Sequence, residues 1–370
     1  MDTHAFDVVV IGAGIAGATA AAALSPTHKV ALIEAEEAAG FHSTGRSAAM
    51  WILNYGPPDV HVLTAASRSF FENPPAGFAD LPLFRHRSVL YLAPEDQQAQ
   101  FDAFIATAEN IRAISELDAR ALVPALRPGY MAAAAIEEDA FDLDVAAIHQ
   151  GFLRQLRAAG GVLALRARAG RIERRDGIWH VETVAGDRFH APVIVNAAGA
   201  WGDVVAEIAG VAPLGLIPCR RTAAIVDPSP YDAEHWPMIM EIAGTWYARP
   251  EARTRLMVTP ADQTPSYPHD IQPDELDVAI GIDRMQQALD IEVRRVEHAW
   301  AGLRTFSPDG SLAFGWDRES PGFFWNVAQG GYGIQTSPAA GRLVADLIAG
   351  RDPGAARAIL GAIDPARFKR

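Results

Sequence analysis

The chain has 370 residues, 49% of them hydrophobic, and a formal net charge of −13. This length predicts a globular protein of two interleaved domains rather than one simple core. The acidic balance argues against nucleic acid or an anionic membrane as the main partner, and no apolar run approaches the roughly 18–20 residues of a membrane span. The single cysteine, Cys219, excludes a disulfide framework within the chain and a multi-cysteine metal site. Because the N-terminus leads straight into a strand pattern, we expect no cleaved signal peptide and a cytoplasmic location.

Residues 12–17 form the most informative motif. They read Gly-Ala-Gly-Ile-Ala-Gly, follow the apolar run 7–11 and precede a small-residue helix pattern over 18–24. In such a strand–turn–helix the first glycine makes the turn, the second admits the phosphates and the third allows close packing, while the helix N-terminus attracts negative charge. A second strand pattern ends in Glu34, twenty residues past Gly14, where an acidic side chain accepts hydrogen bonds from a ribose. The sequence therefore predicts a dinucleotide site, and this motif leaves the dinucleotide open.

Apolar spacing and turn residues predict the elements that follow. We expect helices over 60–71, 96–117, 118–122, 142–159 and 273–289, and strands over 84–92, 161–167 and 171–182, the last with a turn at Asp176-Gly177. Residues 190–201 repeat the N-terminal theme of strand, small-residue turn and helix, and the pattern from 219 to 306 is mostly β. Gly330 is expected to open a final helix that runs to 349–350. Nucleotide elements thus lie at both ends and in the middle, which predicts a discontinuous cofactor domain.

Four segments occur in order along the chain: 12–17 with Glu34, 42–49, 195–201 and 330–335. Together they resemble the FAD-dependent D-amino-acid oxidase/dehydrogenase (DAO) superfamily, which includes glycine and sarcosine oxidases. Within this superfamily, segments 63–68, 73–78 and 300–304 most resemble the bacterial D-arginine dehydrogenase type. The resemblance implies an α/β fold, in which a Rossmann-like FAD-binding domain of the glutathione-reductase type joins an α+β substrate domain on a mixed or antiparallel sheet. The expected divisions are 1–85, 140–215 and 305–370 for FAD, and 86–139 and 216–304 for substrate.

The same resemblance implies which residues hold the cofactor. FAD is favoured over a nicotinamide because a plain NAD enzyme would not need the return of the C-terminal segment to the site. Cys219 matches no covalent attachment position, so we expect non-covalent FAD. The residues expected along the pyrophosphate, ribose, adenine and flavin ring are Gly12, Gly14, Ala16, Gly17, Glu34, Ala35, Ser43, Thr44, Gly45, Arg46, Ser47, Ala48, Ala49, Ala169, Gly199, Gly330, Gly331, Tyr332, Gly333, Ile334 and Gln335.

Flavin-dependent amine oxidation moves the α-hydrogen as a hydride, so the main task of the protein is orientation. A planar guanidinium helped by tyrosine hydroxyls grips a substrate carboxylate best. The resemblance identifies Arg304 as this anchor and implies that Arg221 and Tyr247 also face the substrate. The residues alone leave other roles open: a surface ion pair for Arg304, a solvated strand-edge charge for Arg221 and a core aromatic for Tyr247.

Further candidates surround this anchor. Tyr55 lies in the loop 51–56, which resembles the mobile lid of the family, and supplies either a hydroxyl or packing. Gly331 is expected to offer its carbonyl to the substrate amine, because only glycine lets the backbone come close. For His42 a hydrogen bond within the cofactor loop is favoured over a proton relay. The remaining histidines show no metal-ligand spacing, so no metal is expected.

The chain departs from the D-arginine type at two positions. Met50 stands where those enzymes have a histidine, and Val89 where a glutamate holds the distant guanidinium. Met50, Ile52 and Val89 predict an apolar pocket, because a cation buried beside valine loses a charge-assisted hydrogen bond. We therefore expect an FAD-dependent dehydrogenase or oxidase of neutral or hydrophobic D-amino acids, forming imino acids that hydrolyse to 2-oxo acids and ammonia.

Two alternatives stay open. One is flavin chemistry on an N-alkyl glycine or a 2-hydroxy acid, and the other is a non-catalytic flavoprotein, against which the carboxylate clamp argues. The expected partners are a small-molecule substrate and an electron acceptor, which is oxygen, a quinone or a dye-like acceptor. Nucleic acid and a transmembrane segment are not expected.

Overall fold

The computed structural model describes residues 3–368, and its first unit is the predicted strand–helix–strand. Strands Val8–Ile11 and Val30–Ile33 run parallel and are joined by helix Ile15–Leu24. Every residue of both strands is buried, as in parallel sheets covered on both faces. They form the centre of a six-stranded sheet whose order is Val162–Ala164, Val30–Ile33, Val8–Ile11, Val193–Asn196, Phe323–Val327 and Ala313–Trp316.

A nine-stranded sheet forms the second large layer. Its strands pair antiparallel except for Val89–Ala93 and Met238–Glu241, which run parallel, so the expected mixed sheet is confirmed. Its order is Thr264–Pro265, Ile217–Val226, Arg255–Thr259, Tyr247–Glu251, Met238–Glu241, Val89–Ala93, Ala133–Glu137 and Ile111–Ile114, with His298–Phe306 also paired to Ile217–Val226.

Two smaller sheets complete the strands. One contains Thr3–Ala5, Arg188–Ala191, Ile178–Thr183 and Ala169–Arg175, and the other Met50–Trp51, Phe141–Leu143 and Phe84–His86. The predicted turn at Asp176-Gly177 is confirmed, with positive φ at both residues.

The helices cover the sheets, and helix Ile15–Leu24 packs against Val145–Ala158 and Ser337–Ile348. No helix within 3–368 is long and apolar enough to cross a bilayer. The other α-helices are Pro58–Glu72, Gln98–Thr107, Glu116–Leu122, Gly202–Ile208, Glu275–Ala288 and Leu360–Ile363, and 3-10 turns lie at Glu95–Gln97, Gly199–Trp201, Gly354–Ile359 and Pro365–Phe368. The division of the chain between a cofactor and a substrate domain stays a prediction.

Several predicted elements were wrong in extent. The strand expected over 84–92 divides into Phe84–His86 and Val89–Ala93, which belong to different sheets. The helix expected over 96–117 ends at Thr107, because Ile111–Ile114 joins the large sheet as an edge strand. The helix expected from 142 begins at Val145, since Asp144 caps its N-terminus by accepting the Ala147 N–H. The final helix begins at Ser337 with a proline in its first turn, and residues 331–336 form turns instead.

Candidate active site

A long cavity extends from the carboxyl ends of the parallel strands to one face of the nine-stranded sheet. Its atom-free volume is about 1880 Å³, counting the space open to solvent. The predicted site residues in its wall are Gly12, Gly14, Ala16, Glu34, Ala35, Ser43, Thr44, Arg46, Ser47, Ala48, Ala49, Ala169, Gly199, Gly330, Gly331, Gly333, Ile334, Arg221, Tyr247 and Arg304. The structure therefore places the dinucleotide motif and the candidate carboxylate clamp along one continuous space.

Two positions at the dinucleotide end accept only glycine. Gly12 has a φ of +101°, and a Cβ there would lie 2.6 Å from the Ala197 carbonyl oxygen. A Cβ on Gly17 would lie 1.8 Å from the Gly12 carbonyl oxygen, so Gly17 supports the turn from behind the cavity wall. The Thr44 Oγ1 accepts the Ile15 N–H at 2.9 Å, which fixes the start of the helix.

Glu34 also binds the turn directly. Its Oε2 accepts the Ala13 N–H at 2.8 Å and its Oε1 accepts the Glu36 N–H at 3.0 Å. Each carboxylate oxygen has a second lone pair, so the side chain can still bind a ribose hydroxyl. Glu34 thus shapes the glycine turn as well as standing at the predicted ribose position.

His149 holds the same turn from the other side, and the sequence carried no signal for it. Its Nε2 lies 2.9 Å from the Ala13 carbonyl oxygen, and only 4% of the residue is exposed. Burial lowers its pKa below the usual value despite this hydrogen bond, so the ring is neutral at pH 7. Side chains from two separate elements therefore fix both polar backbone groups of Ala13.

We expect His149 to make the folded protein sensitive to acid. The pKa of His149 is lower in the folded chain than in the unfolded chain. As the pH falls below about 6.5, the unfolded chain therefore binds a proton that the folded chain does not, and the free energy of unfolding decreases. His149→Gln keeps a donor for Ala13 and removes this titration. The free energy of unfolding, measured with FAD bound, should fall less between about pH 7.5 and 5.5 in the variant than in the wild type. An equal fall in both proteins would contradict this role.

The loop 42–49 connects the cofactor end to the large sheet. Ser43 Oγ donates to the Leu303 carbonyl at 2.6 Å, and Arg46 Nη1 donates to the Ile271 and Ala301 carbonyls at 2.9 and 3.0 Å. Gly45 lies outside the cavity wall, where a Cβ would come 2.7 Å from the Gly40 carbonyl oxygen. His42 lies 3.2 Å from the Glu36 carboxylate, the loop hydrogen bond favoured above.

Strand register brings the two candidate arginines together. Cys219 lies opposite Arg304 and Arg221 opposite Gly302 on antiparallel strands, so both guanidinium-bearing residues occupy the same face of the sheet. Gly302, in the cavity wall beside them, adds no side chain to this face. The Arg221 Nε donates to the Asp262 backbone carbonyl at 2.7 Å, which fixes the base of this side chain.

Arg304 is the centre of a polar cluster. Its Nη1 donates to the Tyr55 hydroxyl at 2.8 Å and its Nη2 to the Tyr247 hydroxyl at 3.4 Å. A Cβ on Gly331 would come within 2.6 Å of the guanidinium, so a larger residue here would push Arg304 away from its position in the cluster. None of the described acidic side chains forms an ion pair with Arg304, which argues against the surface ion-pair interpretation.

The electrostatics of the cluster favour a charged guanidinium. Burial opposes the charge on Arg304, but its interactions with the tyrosine hydroxyls outweigh this and raise its pKa. Burial alone would raise the pKa of Tyr55. The charges of Arg304 and Arg221 lower it by more, so the pKa lies below its usual value. Burial raises the pKa of Tyr332 to about 12. The guanidinium of Arg304 thus faces tyrosine hydroxyls and no carboxylate of the described chain.

The remaining predicted residues lie behind the cavity wall. Met50, Ile52 and Val89 are 0–7% exposed and belong to an apolar cluster with Tyr55 at its edge. Tyr332 contacts the Tyr55 ring, with ring centroids 5.1 Å apart. The Gln335 Nε2 donates to the Tyr55 carbonyl at 3.2 Å, and so holds the loop rather than lining the cavity.

Comparison with known proteins identifies the family. The family model described as DAO, FAD dependent oxidoreductase, matches residues 7–347, and the chain belongs to this family. Among curated proteins the chain is similar to FAD-dependent oxidoreductase domain-containing protein 1 of Xenopus laevis, at 25% identity over 178 residues. That match covers 42% of this chain and 34% of the relative, so the chain spans about a third of the length of that protein.

Solved structures share the fold over the whole chain. L-proline dehydrogenase from P. horikoshii matches with a TM-score of 0.85 at 20% identity, over 100% of this chain and 99% of that one. Glycine oxidase from Geobacillus kaustophilus matches with a TM-score of 0.83 at 20% identity, over 99% and 98% of the two chains. These likenesses confirm the predicted fold class.

The residues present fit FAD, the cofactor of this family. Gly12 and Gly14 line the cavity at the turn and place no side chain where a pyrophosphate approaches, and Glu34 follows the end of the second strand. The cavity then continues past the loop 42–49 to Arg304, as a long dinucleotide requires. The prediction of FAD is confirmed.

Proposed function

We propose that the enzyme oxidises D-amino acids with neutral or hydrophobic side chains to imino acids, which hydrolyse to 2-oxo acids and ammonia. The observation that carries this proposal is the Arg304 cluster, a guanidinium at the far end of the FAD cavity that has no carboxylate partner among residues 3–368. A planar guanidinium binds a carboxylate through two parallel hydrogen bonds, and this one is already oriented by two tyrosine hydroxyls.

In this proposal the residues of the chain bind and orient the substrate. Arg304 binds the carboxylate, Tyr55 and Tyr247 supply hydroxyls beside it, and Arg221 adds positive charge on the same face. Gly331 lies in the cavity wall near the guanidinium, and its carbonyl accepts a hydrogen bond from the substrate amine. Bound FAD supplies the acceptor for the α-hydrogen as a hydride. The expected non-covalent attachment of FAD and the cytoplasmic location stay predictions.

The preference for neutral side chains rests on the apolar cluster beside the clamp. Met50, Ile52, Val89 and Met238 are buried there, and Met240 packs against them. These five side chains lie behind the cavity wall and carry no charge, so this side of the site offers no partner to a cationic substrate side chain. The choice of D-amino acids rests on the resemblance in sequence. Within that family D-arginine is the least favoured substrate, because Val89 offers no charge to a guanidinium.

We expect kcat/KM for D-methionine or D-leucine to exceed that for D-arginine by at least about tenfold, the cost of one lost charge-assisted hydrogen bond. Steady-state rates with an artificial dye acceptor, measured over a panel of D-amino acids and their L-enantiomers, test this. The panel includes sarcosine, glycine and a 2-hydroxy acid, which represent the alternative substrates. Highest kcat/KM for D-arginine, an L-amino acid or one of these alternatives would contradict the proposal.

A further inference from the structure

Glu137 is a buried carboxylate that the proposed chemistry does not use. It ends the strand Ala133–Glu137, is only 1% exposed and lies directly opposite Val89 on the neighbouring strand. No arginine, lysine or histidine of the described chain forms an ion pair with it. Burying an unpaired carboxylate is costly, and burial raises the pKa of Glu137 although its hydrogen bonds oppose this.

Those hydrogen bonds lead to the loop that carries Tyr55. Glu137 Oε1 accepts the Leu53 N–H at 3.1 Å, and Asn54 adds hydrogen bonds to the same carboxylate. Glu137 Oε2 accepts the Tyr91 hydroxyl at 2.8 Å. Burial, and then the charge of Glu137, raise the pKa of Tyr91, so this hydroxyl keeps its proton and acts as the donor. The carboxylate thus links Tyr91 on the large sheet to Leu53 in the loop 51–56.

The loop 51–56 has further contacts on either side of this bridge. The Asn54 side chain exchanges two hydrogen bonds of 2.9 Å with the Glu109 backbone. Beyond it, Tyr55 binds Gln335 through its carbonyl and Arg304 through its hydroxyl. Glu137 is therefore the buried side-chain acceptor of the loop immediately before Tyr55.

We propose that Glu137 is a positioning residue that holds the loop 51–56 closed, so that the Tyr55 hydroxyl lies on the Arg304 guanidinium. The other role for a carboxylate opposite Val89 is to bind a cationic substrate side chain. Against it, Glu137 is only 1% exposed and is not part of the cavity wall. The idea that the closed loop covers a bound substrate rests on the proposed function. The idea that Glu137 holds the loop in place does not.

Three variants separate these roles. Glu137→Ala removes both acceptors. Glu137→Gln keeps an oxygen for the Leu53 N–H and an amide that can donate to the Tyr91 hydroxyl, but removes the charge. Glu241→Ala is the matched control, because Glu241 is 7% exposed and also accepts a tyrosine hydroxyl, that of Tyr130 at 3.4 Å. It lies on the opposite face of the sheet, since its neighbour Met240 is paired with Tyr91.

The main measurement is amide hydrogen exchange of the FAD-loaded enzyme over residues 52–56. We expect exchange in Glu137→Ala to rise by at least about tenfold, as expected when a loop loses hydrogen bonds to a buried acceptor. Glu137→Gln and Glu241→Ala should stay within about threefold of the wild type. Exchange in Glu137→Ala no faster than in Glu241→Ala would overturn the proposal. If Glu137→Ala does not fold, Glu137→Leu, which fills similar space but has no acceptor for the Leu53 N–H, replaces it under the same criterion.

Kinetics supply the second measurement. With the best substrate of the panel, Glu137→Ala should raise KM by about tenfold with a smaller change in kcat, and Glu137→Gln should restore it. A selective loss of activity toward cationic substrates in Glu137→Gln would instead identify Glu137 as a cation-binding residue and overturn the positioning role. If no D-amino acid is oxidised at all, the proposed function fails, while the exchange measurement still decides the role of Glu137.

Discussion

Replacing Arg304 with methionine is expected to lower kcat/KM for the preferred amino acid by about two to four orders of magnitude, the cost of leaving one member of a buried charge pair alone. In the variant the substrate carboxylate enters a site without its bidentate donor, and the Tyr55 and Tyr247 hydroxyls lose the group that orients them. Arg304→Lys should recover only part of the activity, because a lysine keeps the charge but not the planar pair of donors.

The control for this experiment is an arginine outside the cavity. Arg255, on the strand Arg255–Thr259 of the same sheet, donates to Glu297 at 2.6 Å, and Arg255→Met should leave kcat/KM unchanged. FAD content, measured by absorbance, should match the wild type in both variants, since Arg304 lies at the substrate end. A loss of less than about tenfold in Arg304→Met would contradict the role of Arg304 as the carboxylate anchor.

Replacing Gly17 with alanine is expected to abolish stable FAD binding. The added Cβ would lie 1.8 Å from the Gly12 carbonyl oxygen, and a backbone atom cannot rotate away as the end of a side chain can. Relief requires the helix Ile15–Leu24 to move away from the glycine turn, at a cost of about 3 kcal/mol or more in the free energy of unfolding. Absorbance of the purified protein and its thermal unfolding with added FAD measure both effects.

Gly361→Ala is the matched substitution. Gly361 lies in a short helix, and a Cβ there would have no heavy atom within 4 Å. This variant should therefore keep its FAD content and unfold at the same or a slightly higher temperature, because alanine favours the helix over glycine. Normal FAD content in Gly17→Ala would show that the turn tolerates a side chain, contrary to the account of the cofactor site given above.

The parts of the fold that sequence patterns predict are those governed by local rules. The strand 8–11, the glycine turn and Glu34 were found because a parallel strand is apolar throughout and the turn accepts only glycine at 12 and 17. The hairpin turn at Asp176-Gly177 follows from the same kind of local requirement. The resemblance to a family added FAD, which no local pattern specifies.

Features that depend on contacts distant in sequence were missed or misplaced. Residues 111–114 favour a helix by composition but pair with Ala133–Glu137 as the edge of a sheet. His149 and Glu137 act through backbone groups of the loops at 13 and 53, and no spacing along the chain indicates such contacts. Strand register places Arg221 and Arg304 on the same face of the sheet. This pair was predicted only from the resemblance to a family, because no local pattern in the sequence indicates it.

The most direct test of the proposed activity is anaerobic addition of one amino acid at a time to the FAD-loaded enzyme, with the flavin absorbance as readout. A neutral D-amino acid such as D-methionine should bleach the flavin of the wild type within one turnover, and its L-enantiomer should not. The same addition should leave Arg304→Met oxidised at equal substrate concentration. Two results would contradict the account. One is that the wild type and Arg304→Met bleach at the same rate, and the other is that no D-amino acid bleaches the wild type.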